Sequence, residues 1–162
     1  MIPERTKAIV MGAVAATFWA IGSVQASTCP AWKLSREETE EGRQLMAHVC
    51  STSDRGNSTI AVTCSGKRLY LRYTPRIDGD FTGQKRVIAF VAEDTAVSMQ
   101  LTYEAMDGAF AKSKLPPNHP VFSLFAIGRG LTVRDPAGKI PAKAFSLSGA
   151  RSALAGLLNN CK

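Results

Sequence analysis

The chain has 162 residues, 45% of them hydrophobic and 20% charged, with a net charge of +7. That length suits one domain, and the ordinary apolar fraction excludes wholesale disorder and a fibrous repeat.

Charge is unevenly placed at the start. Residues 8–22 carry none, Arg5 and Lys7 precede them, and Val24-Gln25-Ala26 offers small residues where a signal peptidase reads. This three-part pattern predicts a secretory signal peptide over residues 1–26 and a single exported domain over 27–162. The apolar run is shorter than the ~20 residues a spanning helix needs, so no transmembrane segment is expected after processing. Glu4 leaves together with Arg5 and Lys7, and the remaining domain stays basic.

Beyond the signal, turn residues recur between short apolar stretches, which is the rhythm of a β domain. Trp32-Lys33-Leu34 suits a short opening strand. The acid-rich stretch from Arg36 to Arg43, with Glu37, Glu38, Glu40 and Glu41, reads as a solvated helical turn or a loop. Gln44–Cys50 follows as a strand. In Thr59–Cys64 the apolar residues fall on even numbers, whereas in Arg68–Tyr73 they fall on odd ones. Side chains alternate along a strand, so the parity change across Ser65-Gly66-Lys67 predicts a hairpin. Arg86–Val91 is a continuous apolar run, expected of a strand buried on both faces. Val97–Tyr103 alternates cleanly, and Asp107-Gly108 signals a hairpin into a strand near Ala109–Lys112. Asn118 or His119 can cap a short helix near 120–126, with Pro120 in its first turn. Leu131-Thr132-Val133 and Lys139–Phe145 bracket a turn at Asp135-Pro136-Ala137-Gly138. Last comes a helix over 149–160, capped by Ser148, with Ala150, Ala153, Leu154, Leu157 and Leu158 on one face.

The fold class expected is therefore mainly β: a small disulfide-tied β-sandwich with a short helix near 120–126 and a C-terminal helix over 149–160. Cys29, Cys50, Cys64 and Cys161 make an even count in an exported chain, which points to two structural disulfides in an oxidising compartment. Three connectivities are possible. A Cys50–Cys64 bridge across neighbouring strands, with Cys29–Cys161 tying the termini, suits the spacing best. No C-x-x-C occurs and the only histidines are His48 and His119, so neither a metal site nor a redox dithiol is expected. No cofactor is expected either.

Catalytic signals are sparse. His48 sits on a strand between Met46 and Cys50, where an interior or edge histidine is the simpler reading. His119 lies in a loop, where capping or exposure serves. No G-x-S-x-G occurs, and the glutamates of residues 37–41 form one solvated run. The expectation is a protein that is not an enzyme, an uncharacterised hydrolase being the third choice. Lys67, Arg68, Arg72 and Arg76, interleaved with Tyr70, are the candidate binding residues. They suit an acidic surface, although an outer sheet face kept soluble by cations explains them as well. A nucleic-acid partner is not expected.

Thr59–Cys64 and Arg68–Tyr73, joined by their turn, together with Ala144-Phe145-Ser146-Leu147-Ser148-Gly149-Ala150-Arg151-Ser152-Ala153-Leu154 and the late Cys161, resemble small exported proteins of Gram-negative bacteria. The similarity is to type VI secretion-associated periplasmic proteins and to invasion-associated locus B proteins, over residues 58–73 and 119–161. It implies a periplasmic or secreted envelope accessory or host-interaction module of β-sandwich type that binds another envelope or host protein, with no catalytic site to carry over. Ser148-Gly149-Ala150-Arg151 is also similar to a loop motif of bacterial lysozyme inhibitors. That makes inhibition of a lysozyme-type enzyme the second expectation.

Overall fold

The computed structural model describes residues 29–39, 42–79, 81–104 and 109–162. The segment expected to be a signal peptide, Glu40, Glu41 and the Asp107-Gly108 pair lie outside them. Nine strands run in chain order: β1 (Lys33–Thr39), β2 (Gly42–Cys50), β3 (Thr59–Ser65), β4 (Arg68–Thr74), β5 (Lys85–Ala92), β6 (Thr95–Glu104), β7 (Ala109–Leu115), β8 (Gly130–Arg134) and β9 (Lys143–Ser146). Two helices, α1 (Pro120–Ala126) and α2 (Ala150–Asn160), lie on either side of β8 and β9 in the chain. The domain is mainly β, as its sequence pattern implies.

All neighbouring strands pair antiparallel in the order β1-β2-β3-β4-β7-β6-β5-β8-β9. The sheet does not lie flat. Tyr73 on β4 meets Phe145 on β9 at a ring separation of 6.3 Å and Phe90 on β5 at 6.5 Å. The β1–β4 half of the strand order therefore faces the β5, β8 and β9 end in a sandwich-like arrangement. A seam joins them: Ser51, just past β2, bridges Phe145, and the Thr52 amide donates to the Ala144 carbonyl at 2.8 Å. The free edge of β2 is thus divided between β1 and β9.

The parity argument holds along β4, whereas on β3 the odd-numbered Ala61 and Thr63 are buried as well. Ile60 and Val62 face the core, paired with Tyr73 and Leu71, while Arg68, Tyr70 and Arg72 turn outward. Inward side chains from β2 to β9 join Val121, Leu124 and Phe125 of α1 and Ala150, Leu154 and Leu157 of α2 in one core. α2 packs on β1 and β2, and α1 on β5 and β6. Trp32 stacks on Phe125 at 5.2 Å, linking the chain's entry to α1. At about 25 cal/mol per Å² of apolar area removed from water, such aromatics dominate the stabilisation.

Several local expectations are corrected. The described residues of the Arg36–Arg43 stretch, 36–39 and 42–43, are strand rather than helical turn or loop. They form most of β1 and the start of β2, where Glu38 sits opposite Arg43 and accepts its Nε–H at 3.0 Å. Dense charge suits an edge strand, which must discourage pairing with other chains. β5 is not buried on both faces: Val87 is 47% exposed, and only Ile88–Phe90 is continuously covered. β9 begins at Lys143, since residues 139–142 complete the loop after β8. His119 does cap α1, its Nδ1 accepting from the Val121 amide at 3.2 Å. Ser148 does not cap α2. The N-cap is Gly149 at φ +78°, and the Ser148 carbonyl instead accepts from the Trp32 amide. A Cβ on Gly149 would stand 2.9 Å from the Trp32 carbonyl oxygen, so that position requires glycine on two counts.

The cysteine pairing is also corrected. All four cysteines are bridged, but as Cys29–Cys50 and Cys64–Cys161. Register forbids the pairing that the spacing suggested: Cys50 lies opposite Thr59 and Cys64 opposite Leu45, at opposite ends of the β2–β3 ladder. A disulfide needs Cα atoms within about 7 Å, and Cys64 and Cys161 meet that at 5.7 Å. One bridge ties the chain's entry to the seam. The other fastens the end of α2 to the sheet.

Candidate functional site

Gly66 and Lys67 form the two-residue β3–β4 turn, at φ +53° and +63°, with Ser65 and Arg68 paired across it. Positive φ at both central positions is the turn geometry that matches strand twist. It projects Lys67 and Arg68 beyond the sheet.

The neighbouring strand is irregular at the same level. Leu69 pairs with Leu115, but the next register pair is Leu71 with Lys112, so β7 carries one extra residue there. Lys114 lies in this bulge with φ +56°. A bulge bends its strand and re-aims a side chain; here it sets Lys114 on the rim shared with the hairpin. α2 ends opposite, held by Cys64–Cys161.

Between hairpin, bulge and helix end lies an open cleft of about 360 Å³. Its apolar surface comes from Leu69, Leu115, Pro117 and Leu158, beside Cys161. Its cations are Lys67, Arg68, Lys114 and Lys162, and no Asp or Glu side chain lines it among the described residues. Among the described residues, two of the four non-glycine residues held at positive φ are on this rim. Such conformations cost about 1–3 kcal/mol each and cluster where a site is pre-shaped.

The five predicted binding residues do not form one patch. Lys67 and Arg68 share the cleft. Tyr70 and Arg72 lie on the outer face of β4, where Arg72 Nη2 approaches Glu104 Oε2 at 3.8 Å. Arg76 follows the opposite end of β4, and its backbone amide donates to Ser58 Oγ at 3.0 Å. At ~3.3 Å per residue, the end of β4 at Thr74 is about 20 Å from Arg68, and Arg76 lies past it. Sequence reasoning missed Lys114 and Lys162. Nothing in the sequence marks Lys114, because a bulge is a property of two paired strands.

His48 lines a second cleft of about 290 Å³ with Glu37, Met46, Asn57 and the Cys29–Cys50 bridge. Ser35 Oγ lies 3.4 Å from His48 Nδ1. That exceeds the 2.6–3.2 Å of a nucleophile with its base, and among the described residues no hydrogen bond joins Glu37 to His48. Ser148-Gly149-Ala150-Arg151 occupies the start of α2, where Arg151 Nη2 donates to the Ala126 carbonyl of α1 at 3.3 Å. The motif joins two helices there.

One buried and one part-buried carboxylate have structural roles. Asp135 is 7% exposed. It accepts from the Ala137 and Lys139 amides at 2.8 and 3.2 Å, closing the turn after β8, and pairs with Arg86 at 3.3 Å. Asp54 stands at the seam. It accepts from the Ser58 amide and hydroxyl, and from Lys143 of β9 at 3.1 Å. Burial raises the Asp54 carboxyl, but the Ser58 side-chain and backbone bonds, Lys143 and Ser51 outweigh it and hold it at about 2. Burial, helped by the charge on Asp54, pushes the Tyr73 hydroxyl upward.

Among the described residues, no group of three or more His, Cys, Asp or Glu side chains can hold a metal ion. No helix among them is long and apolar enough to cross a membrane. Family models, curated proteins and solved structures give no match to this chain.

Proposed function

We propose that this protein is an exported, non-catalytic module that binds another envelope or host protein through the basic end of its β3–β4 hairpin. The observation that carries this reading is the gathering of Lys67, Arg68, Lys114 and Lys162 around one apolar cleft that no Asp or Glu side chain lines among the described residues. Like charges collect against their own repulsion, and a complementary acidic surface offsets that cost and speeds encounter. The two disulfides support an oxidising destination, and the predicted signal peptide agrees with periplasmic delivery or secretion.

In vivo crosslinking followed by co-purification tests the proposal, comparing the native chain with Lys67→Glu/Arg68→Glu. Both side chains are exposed, so the variant should fold normally. A specific crosslinked protein should be recovered with the native chain and lost with the variant. Equal recovery from both refutes the reading.

A further inference from the structure

Resting on that reading, we infer that the cleft takes a short acidic–apolar peptide segment of the partner: one or two large apolar side chains with carboxylates on both sides. The apolar floor is built from three stretches, with Leu69 on β4, Leu115 and Pro117 at the end of β7, and Leu158 on α2. The cations come from three places as well: the β3–β4 turn, the β7 bulge, and Lys162 beyond α2. A ligand with a single anionic head would engage one of these positions and leave the others facing one another. A peptide with glutamate or aspartate on either side of an apolar residue satisfies several together.

Size agrees with this occupant. A cleft of about 360 Å³ falls at the lower end of ligand sites. It is open enough for an extended chain to enter and leave. The floor is also held in place before binding. Leu69 and Leu115 are a register pair, each 3% exposed, and the Cys64–Cys161 bridge fixes the helix side. Lys67 and Lys114 are kept in left-handed conformations by the turn and the bulge. A preformed rim loses less freedom on binding than two flexible surface lysines would.

The probe is a fluorescein-labelled hexapeptide carrying a Leu-Phe pair between two glutamates on each side, read by anisotropy on the disulfide-intact protein. Saturable binding should weaken at least tenfold when the glutamates become glutamines, and again when Leu-Phe becomes Ser-Ser. Lys114→Glu should weaken it tenfold or more. Lys114→Gly, which relieves the positive φ while removing the charge, should weaken it severalfold without loss of thermal stability. Arg134→Glu, on β8 and outside the cleft, should leave it unchanged. Binding that ignores the Lys114 variants overturns the inference. So does decanoate displacing the labelled peptide as well as unlabelled hexapeptide does, which would assign the cleft to small amphipathic anions. If no hexapeptide binds while Lys67→Glu/Arg68→Glu still loses its crosslinked partner, this inference fails and the broader function stands. If the crosslinks persist in that variant, the broader function fails.

Discussion

Protonating or neutralising Asp54 should loosen the seam where the sheet meets itself. The carboxylate joins the β2–β3 loop to β9 through Lys143, and its side chain is only 14% exposed. Its pKa falls from 3.8 to about 2 on folding. A displacement of that size corresponds to about 2.4 kcal/mol of preference for the charged form, and solvent screening reduces the expected contribution to ~1–2 kcal/mol. The sign follows from linkage: a carboxyl lowered by folding stabilises the native state above its unfolded value near 4. That stabilisation drains away as pH falls toward 2. Asp54→Asn should therefore lower stability by ~1–2 kcal/mol at pH 7, a fall in Tm of roughly 3–8 °C. The gap to the native chain should narrow progressively between pH 4 and pH 2. Urea unfolding followed by circular dichroism at pH 7, 4 and 2.5 measures this directly. A double-mutant cycle with Lys143→Met should return a coupling of at least ~0.5 kcal/mol at pH 7. A native-to-variant gap that stays constant over this range would refute the assignment of the charge to the seam.

Three further outcomes are expected. Gly149→Ala forces a side chain into a left-handed backbone and toward the Trp32 carbonyl, and should cost ~2–3 kcal/mol in chemical denaturation; a loss under 0.5 kcal/mol would contradict the close approach. Cys64→Ala/Cys161→Ala opens a bridge of sequence separation 97. The chain-entropy model gives ~4.7 kcal/mol for a loop of about 100 residues, so unfolding should require at least 2 kcal/mol less, and hydrogen exchange should quicken first in α2. Lys67→Asn should raise stability by ~0.5 kcal/mol, because asparagine accepts the left-handed turn more readily. The same substitution should weaken partner binding, a divergence that separates the lysine's charge from its conformation.

Features set by neighbours in the chain were legible in the sequence. Alternation alone placed the β3–β4 hairpin and its turn, and residue spacing placed α2. His119 was visible as a cap because its partner amide lies two residues away. Features set by register were not legible. Cys50 and Cys64 look like strand neighbours until Thr59 and Leu45 are found opposite them. Charge in residues 36–43 hid the β1–β2 strand pair, in which Glu38 stands opposite Arg43. The candidate site divides in the same way: Lys67 and Arg68 adjoin in sequence and in space, whereas Arg76 is close only along the chain. Lys114 enters through a one-residue mismatch between β4 and β7 that neither strand shows alone.

The disulfides pair the first cysteine with the second and the third with the fourth, so the two loops follow one another along the chain without interlocking. A polypeptide delivered amino-terminus first to an oxidant presents its thiols in that same order. When Cys50 emerges, Cys29 awaits it, and Cys64 then stays unpartnered until Cys161 arrives. Oxidation in order of arrival therefore yields the native bridges directly. On that order of arrival, the connectivity requires no exchange of wrongly joined pairs.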